Sequence, residues 1–63
     1  MCLSTVYKNT EDADNILMGN VAKIEINGDT VKITDLMERS MEIDGELLFV
    51  DLLGAKAIIK ERA

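Results

Sequence analysis

The dipeptide Asn27-Gly28 limits the fold more than any other feature of the chain. Before it, Ala22, Ile24 and Ile26 alternate with Lys23, Glu25 and Asn27. After it, Val31 and Ile33 alternate with Lys32 and Thr34. A hydrophobic repeat of two is the signature of a strand, because successive side chains leave opposite faces. Asn and Gly both tolerate the positive φ angles of a tight turn. Residues 22–34 are therefore expected to form a β-hairpin. With 63 residues in all, this hairpin belongs to a single small domain, residues 1–63.

The remaining segments continue the pattern. Met1 to Tyr7 is rich in β-formers, has no helix cap ahead of it and predicts a strand. Asn9 to Asn15 is polar and acidic and predicts a surface loop. Ile16 to Gly19 starts a second apolar stretch, with Gly19 marking a bend or bulge. Asp35 to Arg39 connects to a run in which Arg39, Met41 and Ile43 alternate with Ser40, Glu42 and Asp44. Asp44-Gly45 is a second turn signal. Glu46 to Val50 then suits a fully buried strand, and Gly54 separates it from Lys56 to Glu61 in a final hairpin. Residues 46–62 also admit an amphipathic helix with Leu48, Leu52, Ala55 and Ile59 on one stripe. Gly54 in its middle costs that helix about 1 kcal/mol, so strands are preferred. The sum is an all-β chain, a small barrel or meander of five or six short strands.

Composition removes several kinds of function. The chain has no His, so a His-based triad, a His general base and a Cys/His zinc finger are all excluded. No other constellation suggests an enzyme. Twelve acids against seven bases give a net charge of −5. The bases are scattered, and Tyr7 and Phe49 are too few aromatics for a stacking platform, so nucleic acid is a poor partner. No apolar run approaches the roughly 20 residues that span a bilayer, and no signal-peptide pattern opens the chain. A cytoplasmic protein with no membrane partner is expected. The acidic trio Glu11, Asp12 and Asp14 fits no calcium-loop spacing and reads as a solvated loop. Met1, Met18, Met37 and Met41 make no convincing thioether site. One Cys cannot form an internal disulfide, so a domain this small is expected to gain stability from a subunit interface or a bound metal.

Cys2 is the residue with the most distinctive position. Its small side chain favours removal of Met1, which would leave a free α-amine and a thiolate on one residue. Together they close a five-membered chelate ring on a metal, and the deprotonated amide nitrogen of Leu3 can add a further donor. Nitrogen and thiolate donors in a plane suit Ni(II) or Cu(II) better than Zn(II), which takes tetrahedral sites. Two chains about a two-fold axis could bring both Cys2 groups to one ion. The alternative is a small buried hydrophobe at the start of an edge strand.

The opening Met1-Cys2-Leu3-Ser4-Thr5-Val6-Tyr7 resembles that of the CooT family, small nickel-binding accessory proteins linked to carbon monoxide dehydrogenase maturation. The likeness continues through residues 24–29, 31–36, 41–45 and 50–53. It implies an SH3-like β-barrel, a homodimer, and Ni(II) bound through Cys2 near the dimer interface. The backbone at Leu3 is a second candidate ligand, and carbon monoxide dehydrogenase or its maturation machinery is the implied client. The alternative function is a small β-barrel interaction module for RNA or a protein, with Cys2 structural.

Overall fold

The computed structural model describes residues 3–62; Met1, Cys2 and Ala63 lie outside the described residues. The chain forms five strands: β1 (Ser4–Lys8), β2 (Ile16–Asn27), β3 (Thr30–Asp35), β4 (Ser40–Asp51) and β5 (Lys56–Glu61). A single 3-10 turn, Ala13–Asn15, lies in the loop after β1. Consecutive strands pair antiparallel, and β5 returns to pair parallel with β1, which closes the barrel. The helical alternative for residues 46–62 is set aside, because Glu46–Asp51 pairs with Lys56–Lys60 strand to strand.

The expected hairpin is β2–β3. Asn27 pairs with Thr30, so Gly28 and Asp29 are the two connecting residues. Only Gly28 takes a positive φ there, 56°. Asn27 stays in the strand, and its carbonyl accepts from the Thr30 hydroxyl at 3.0 Å.

The twelve-residue strands β2 and β4 each serve two partners. β2 pairs with β1 up to Val21 and with β3 from Val21 onward. β4 pairs with β3 up to Asp44 and with β5 from Gly45 onward. The two corners fold one meander into two packed layers around Val6, Val21, Val31, Ile33, Ile43, Ala57 and Ile59.

The corners bear on two sequence expectations. Asp44-Gly45 is not a turn; it lies inside β4. The glycine is required there because β5 crosses at that point. A Cβ on Gly45 would fall well inside contact distance of the Lys60 carbonyl oxygen and only 3.0 Å from Glu61 Cα. Close backbone approach, not chain reversal, is what this glycine permits. The bend or bulge expected at Gly19 is present: Gly19 and Asn20 lie in the register shift between Met18 and Val21, and Asn20 carries φ 53°. A register shift follows between Val21 and Lys23.

Glu46 to Val50 is a strand, but it is not fully buried. A bulge between Leu47 and Phe49 sets Leu48 and Phe49 opposite the single residue Ile58. Both therefore face outward, and each is about half exposed. Ile58 also faces outward, between the core residues Ala57 and Ile59. It is nevertheless 3% exposed, with Tyr7 and Phe49 as its register neighbours.

Asp35 ends β3 and organises the connection to β4. Its Oδ1 accepts from the Met37 and Arg39 amides at 2.9 Å each, and its Oδ2 accepts from Arg39 Nε at 2.8 Å. The backbone amide of Arg39, before desolvation is counted, is the largest of the effects that hold this carboxyl below its usual range. A depressed pKa contributes stability above the unfolded value, near 3.9, which is lost as pH falls through the folded value. Asp35→Asn is therefore expected to melt below the parent chain at pH 7, with the gap narrowing as pH falls below 4. Melting curves at pH 7 and pH 3 check this; a gap that does not change with pH contradicts it.

Candidate functional site

The barrel has a notch where β1 begins. Among the described residues, β1 pairs along β2 as far as Val21, opposite Ser4. Beyond that point Ser4, Val21, Ala22, Lys23 and Ile24 face Val50 and Leu52 across an open cleft of about 240 Å³. Leu3, half-buried, leads directly into Ser4 at this cleft. The Thr5 amide donates to the Ala55 carbonyl at 3.0 Å, fixing the start of β1 beside the β4–β5 turn. That turn is held by Asp51, whose Oδ1 accepts from the Gly54 amide at 2.8 Å, and it places Ala55 at φ 56°.

Of the two sequence-predicted ligands, Leu3 is half-buried and immediately precedes Ser4, which lines the cleft, while Cys2 lies outside the described residues. Among the described residues no three Cys, Asp or Glu side chains gather in a way that could hold a metal ion. The acidic loop has other tasks. Glu11 accepts from Lys56 Nζ at 2.6 Å, and Asp12 accepts from the Asp14 amide at 3.3 Å. The Glu11 carboxylate is also the main reason the Lys56 ammonium titrates above its ordinary range. This contact ties the loop after β1 to the first residue of β5.

The register interleaves the charges on the outer surface. Lys32 pairs with Glu25 on one side and Glu42 on the other, and Lys60 pairs with Glu46. Lys32 and Lys60 thus each have a carboxylate residue beside them, and Lys23 Nζ is 3.7 Å from Glu25. No basic stripe results from this arrangement, and phosphate binding depends on one.

Sequence reasoning missed an apolar surface. Ile16, Tyr7, Ile58 and Phe49 follow one another across four strands on the outside of the barrel. Leu52 and Leu53 extend the exposed apolar surface at the β4–β5 turn, at 80% and 99% exposure. The available signal was the unbroken run Leu47 to Val50, which reads as buried until the bulge is known. A second cleft, about 360 Å³, lies at the far end of β5 among Glu46, Lys60, Glu61 and Arg62. Its walls are ion pairs, with Arg62 Nε 3.1 Å from Asp44 Oδ1.

The fold and its notch define a small five-stranded β-barrel protein. The family model for the carbon monoxide dehydrogenase accessory protein CooT matches residues 1–60, and the chain belongs to that family. Its fold is also that of a crystal structure from Carboxydothermus hydrogenoformans provisionally assigned to CooT. The two share 10% identity and superpose with a TM-score of 0.83, over 98% of this chain and 100% of that one. No curated protein sequence matches the chain. Among the described residues, no helix is long and apolar enough to cross a membrane.

Proposed function

We propose that this chain is a non-enzymatic nickel carrier that serves carbon monoxide dehydrogenase maturation in the cytoplasm. Ni(II) is its cargo. With Met1 removed, the Cys2 thiolate and α-amine chelate the ion, and the Leu3 amide nitrogen adds a donor. What supports this reading is Cys2 itself, the sequence neighbour of Leu3, in a chain whose family is that of a carbon monoxide dehydrogenase accessory protein. A site at the start of β1 leaves the ion open to an incoming donor, so a client can take it by ligand exchange. The barrel, folded into two layers at the Asn20–Lys23 and Gly45 corners, has the arrangement of an SH3-like domain and works as a homodimer. The exposed apolar residues Leu52 and Leu53 give a client protein a surface to engage.

The chemistry fixes the sign of a pH test. Ni(II) must displace protons from a thiol of ordinary pKa about 8.5 and an amine near 7.7–8.0. Affinity is therefore expected to fall at least tenfold for each pH unit below about 7. Titration against a competing chelator at pH 6, 7 and 8, following the thiolate-to-nickel absorption band, measures this. An affinity that does not change with pH excludes thiolate and amine ligation.

A second reading, an interaction module with Cys2 structural, draws on the same exposed apolar surface. The interleaved lysines favour a protein over RNA as its partner.

A further inference from the structure

The hairpin tip brings a carboxamide and an unshielded backbone nitrogen together. The chain has four asparagines, and the residue after each decides how open the next amide nitrogen is. Asn9, Asn15 and Asn20 precede Thr10, Ile16 and Val21, whose branched side chains crowd that nitrogen. Asn27 precedes Gly28, which has no side chain to crowd it. The surroundings are open as well, since a Cβ placed on Gly28 would meet nothing within 4 Å. Asn27, Gly28 and Asp29 are all exposed. Among the described residues, no backbone carbonyl accepts from the Gly28 amide. Asn9 and Asn15, by contrast, have their carboxamides engaged, by the Glu61 amide at 2.9 Å and by Thr10 Oγ1 at 2.8 Å. Asp44-Gly45 has related chemistry, but the fold locks it. The Gly45 amide donates to the Asp29 carbonyl at 3.0 Å, and Asp44 Oδ1 accepts from Arg62 Nε at 3.1 Å.

We propose that Asn27 is a site of self-modification, at which the chain loses ammonia and passes to an aspartyl or isoaspartyl form. This inference is independent of the nickel reading. Solvent base takes the Gly28 amide proton, and the nitrogen attacks Asn27 Cγ to close a five-membered imide. The Cγ–Nδ2 bond breaks, and Nδ2 leaves as ammonia with a proton returned from solvent. Water then opens the ring at one of its two carbonyls. Opening at Cγ restores the backbone and leaves a carboxylate side chain. Opening at the backbone carbonyl routes the chain through Cγ and adds one backbone carbon.

The hairpin governs the rate. Asn27 is a strand residue, and extended backbone carries its side chain away from the next nitrogen. Ring closure therefore waits on local opening of the Asn27–Thr30 pair, the last of the hairpin. The Thr30 hydroxyl, which donates to the Asn27 carbonyl at 3.0 Å, is the brake on that opening. The tip also fastens a corner of the barrel. The Asp29 carbonyl accepts from the Gly45 amide and from Arg62 Nη2, at 3.0 Å each. An extra backbone carbon just ahead of Asp29 dislodges it from both donors. The isoaspartyl form is therefore expected to melt below the parent, while the aspartyl form keeps the backbone as it was.

Ageing the full chain at pH 8, followed by trypsin and mass spectrometry, tests this. Cleavage after the lysines leaves Asn27 in peptide 24–32 and the other three asparagines in peptide 9–23. Replacement of NH2 by OH is expected about tenfold faster or more in peptide 24–32. Its rate is expected to rise about tenfold per pH unit, because the attacking nitrogen must first lose its proton. Asn27→Gln is expected to abolish it, since the ring would need a sixth member. Thr30→Val keeps the side-chain shape without the hydroxyl and is expected to speed it about threefold or more. The isoaspartyl fraction, separated by anion exchange, is expected to show the lower Tm. A peptide 24–32 that stays unmodified, or that changes no faster than peptide 9–23, overturns the site. Thr30→Val ageing at the parent rate overturns the control by the hairpin.

Discussion

Cys2→Ser is expected to weaken Ni(II) binding by about a hundredfold or more and to leave thermal unfolding unchanged. Losing a partner that merely orients a ligand commonly costs ten- to a hundredfold in metal affinity, and losing the ligand itself costs more. Serine keeps the amine and the Leu3 amide but replaces the thiolate with a hydroxyl. The hydroxyl does not ionise near neutral pH and is a harder, weaker donor for nickel. Stability is untouched on this account because the described core is built from Val6, Val21, Val31, Ile33, Ile43, Ala57 and Ile59. Competition titration and a melting curve on the same sample separate the two effects. Equal affinity in parent and variant contradicts the account. Equal loss of affinity and stability instead gives Cys2 a structural role.

The largest effect on stability is expected from Gly45→Ala. The added methyl meets backbone, Lys60 carbonyl and Glu61 Cα, rather than the end of a flexible side chain. Relief requires β4 and β5 to separate at the corner that joins the two layers. Gly45 also donates its amide to the Asp29 carbonyl at 3.0 Å, and Arg62 holds the same corner through its contacts with Asp44 and Asp29. Overpacking of this kind costs about 3 kcal/mol. A chain of this length has only about 3–9 kcal/mol to lose, so a fall of roughly 15 °C in Tm is expected. Gly19→Ala is the internal comparison. A Cβ there meets nothing within 4 Å, and Gly19 does not take a positive φ. Its Tm is expected to stay within a few degrees of the parent. Similar losses at both positions would refute the close-approach explanation of Gly45.

The contrast between the two glycines shows what the sequence could disclose. The Asn27-Gly28 hairpin was legible because turn chemistry and hydrophobic alternation are local, and both agree over residues 22–34. The β4–β5 hairpin was legible for the same reason, with Gly54 and the apolar Ala57 to Ile59 at its ends. Asp44-Gly45 has the local chemistry of a turn, yet it lies in a strand. The constraint on Gly45 comes from Lys60 and Glu61, distant in sequence, and no window around residue 45 contains it. Leu48 and Phe49 misled in a similar way. Alternation assumes one residue per pleat, and the bulge opposite Ile58 breaks that count. Leu3 was legible as the approach to a site, but the cleft beside it was not. The cleft is lined by residues of β1, β2 and β4 and the turn after it, brought together by the pairing of distant strands. The family was legible from the opening Met1 to Tyr7 joined with the segments 24–29, 31–36, 41–45 and 50–53, even though Asp44-Gly45 among them is no turn. No single motif carries it.

Native mass spectrometry of the untagged protein, with Met1 shown by mass to be removed, tests the central claim most directly when Ni(II), Cu(II) and Zn(II) are titrated in turn. The account predicts a dimer that takes up Ni(II) in the parent chain and stays empty in Cys2→Ser at the same metal concentration. A parent chain with a free Cys2 amine that takes up no nickel, or takes it up as readily after Cys2→Ser, would contradict it.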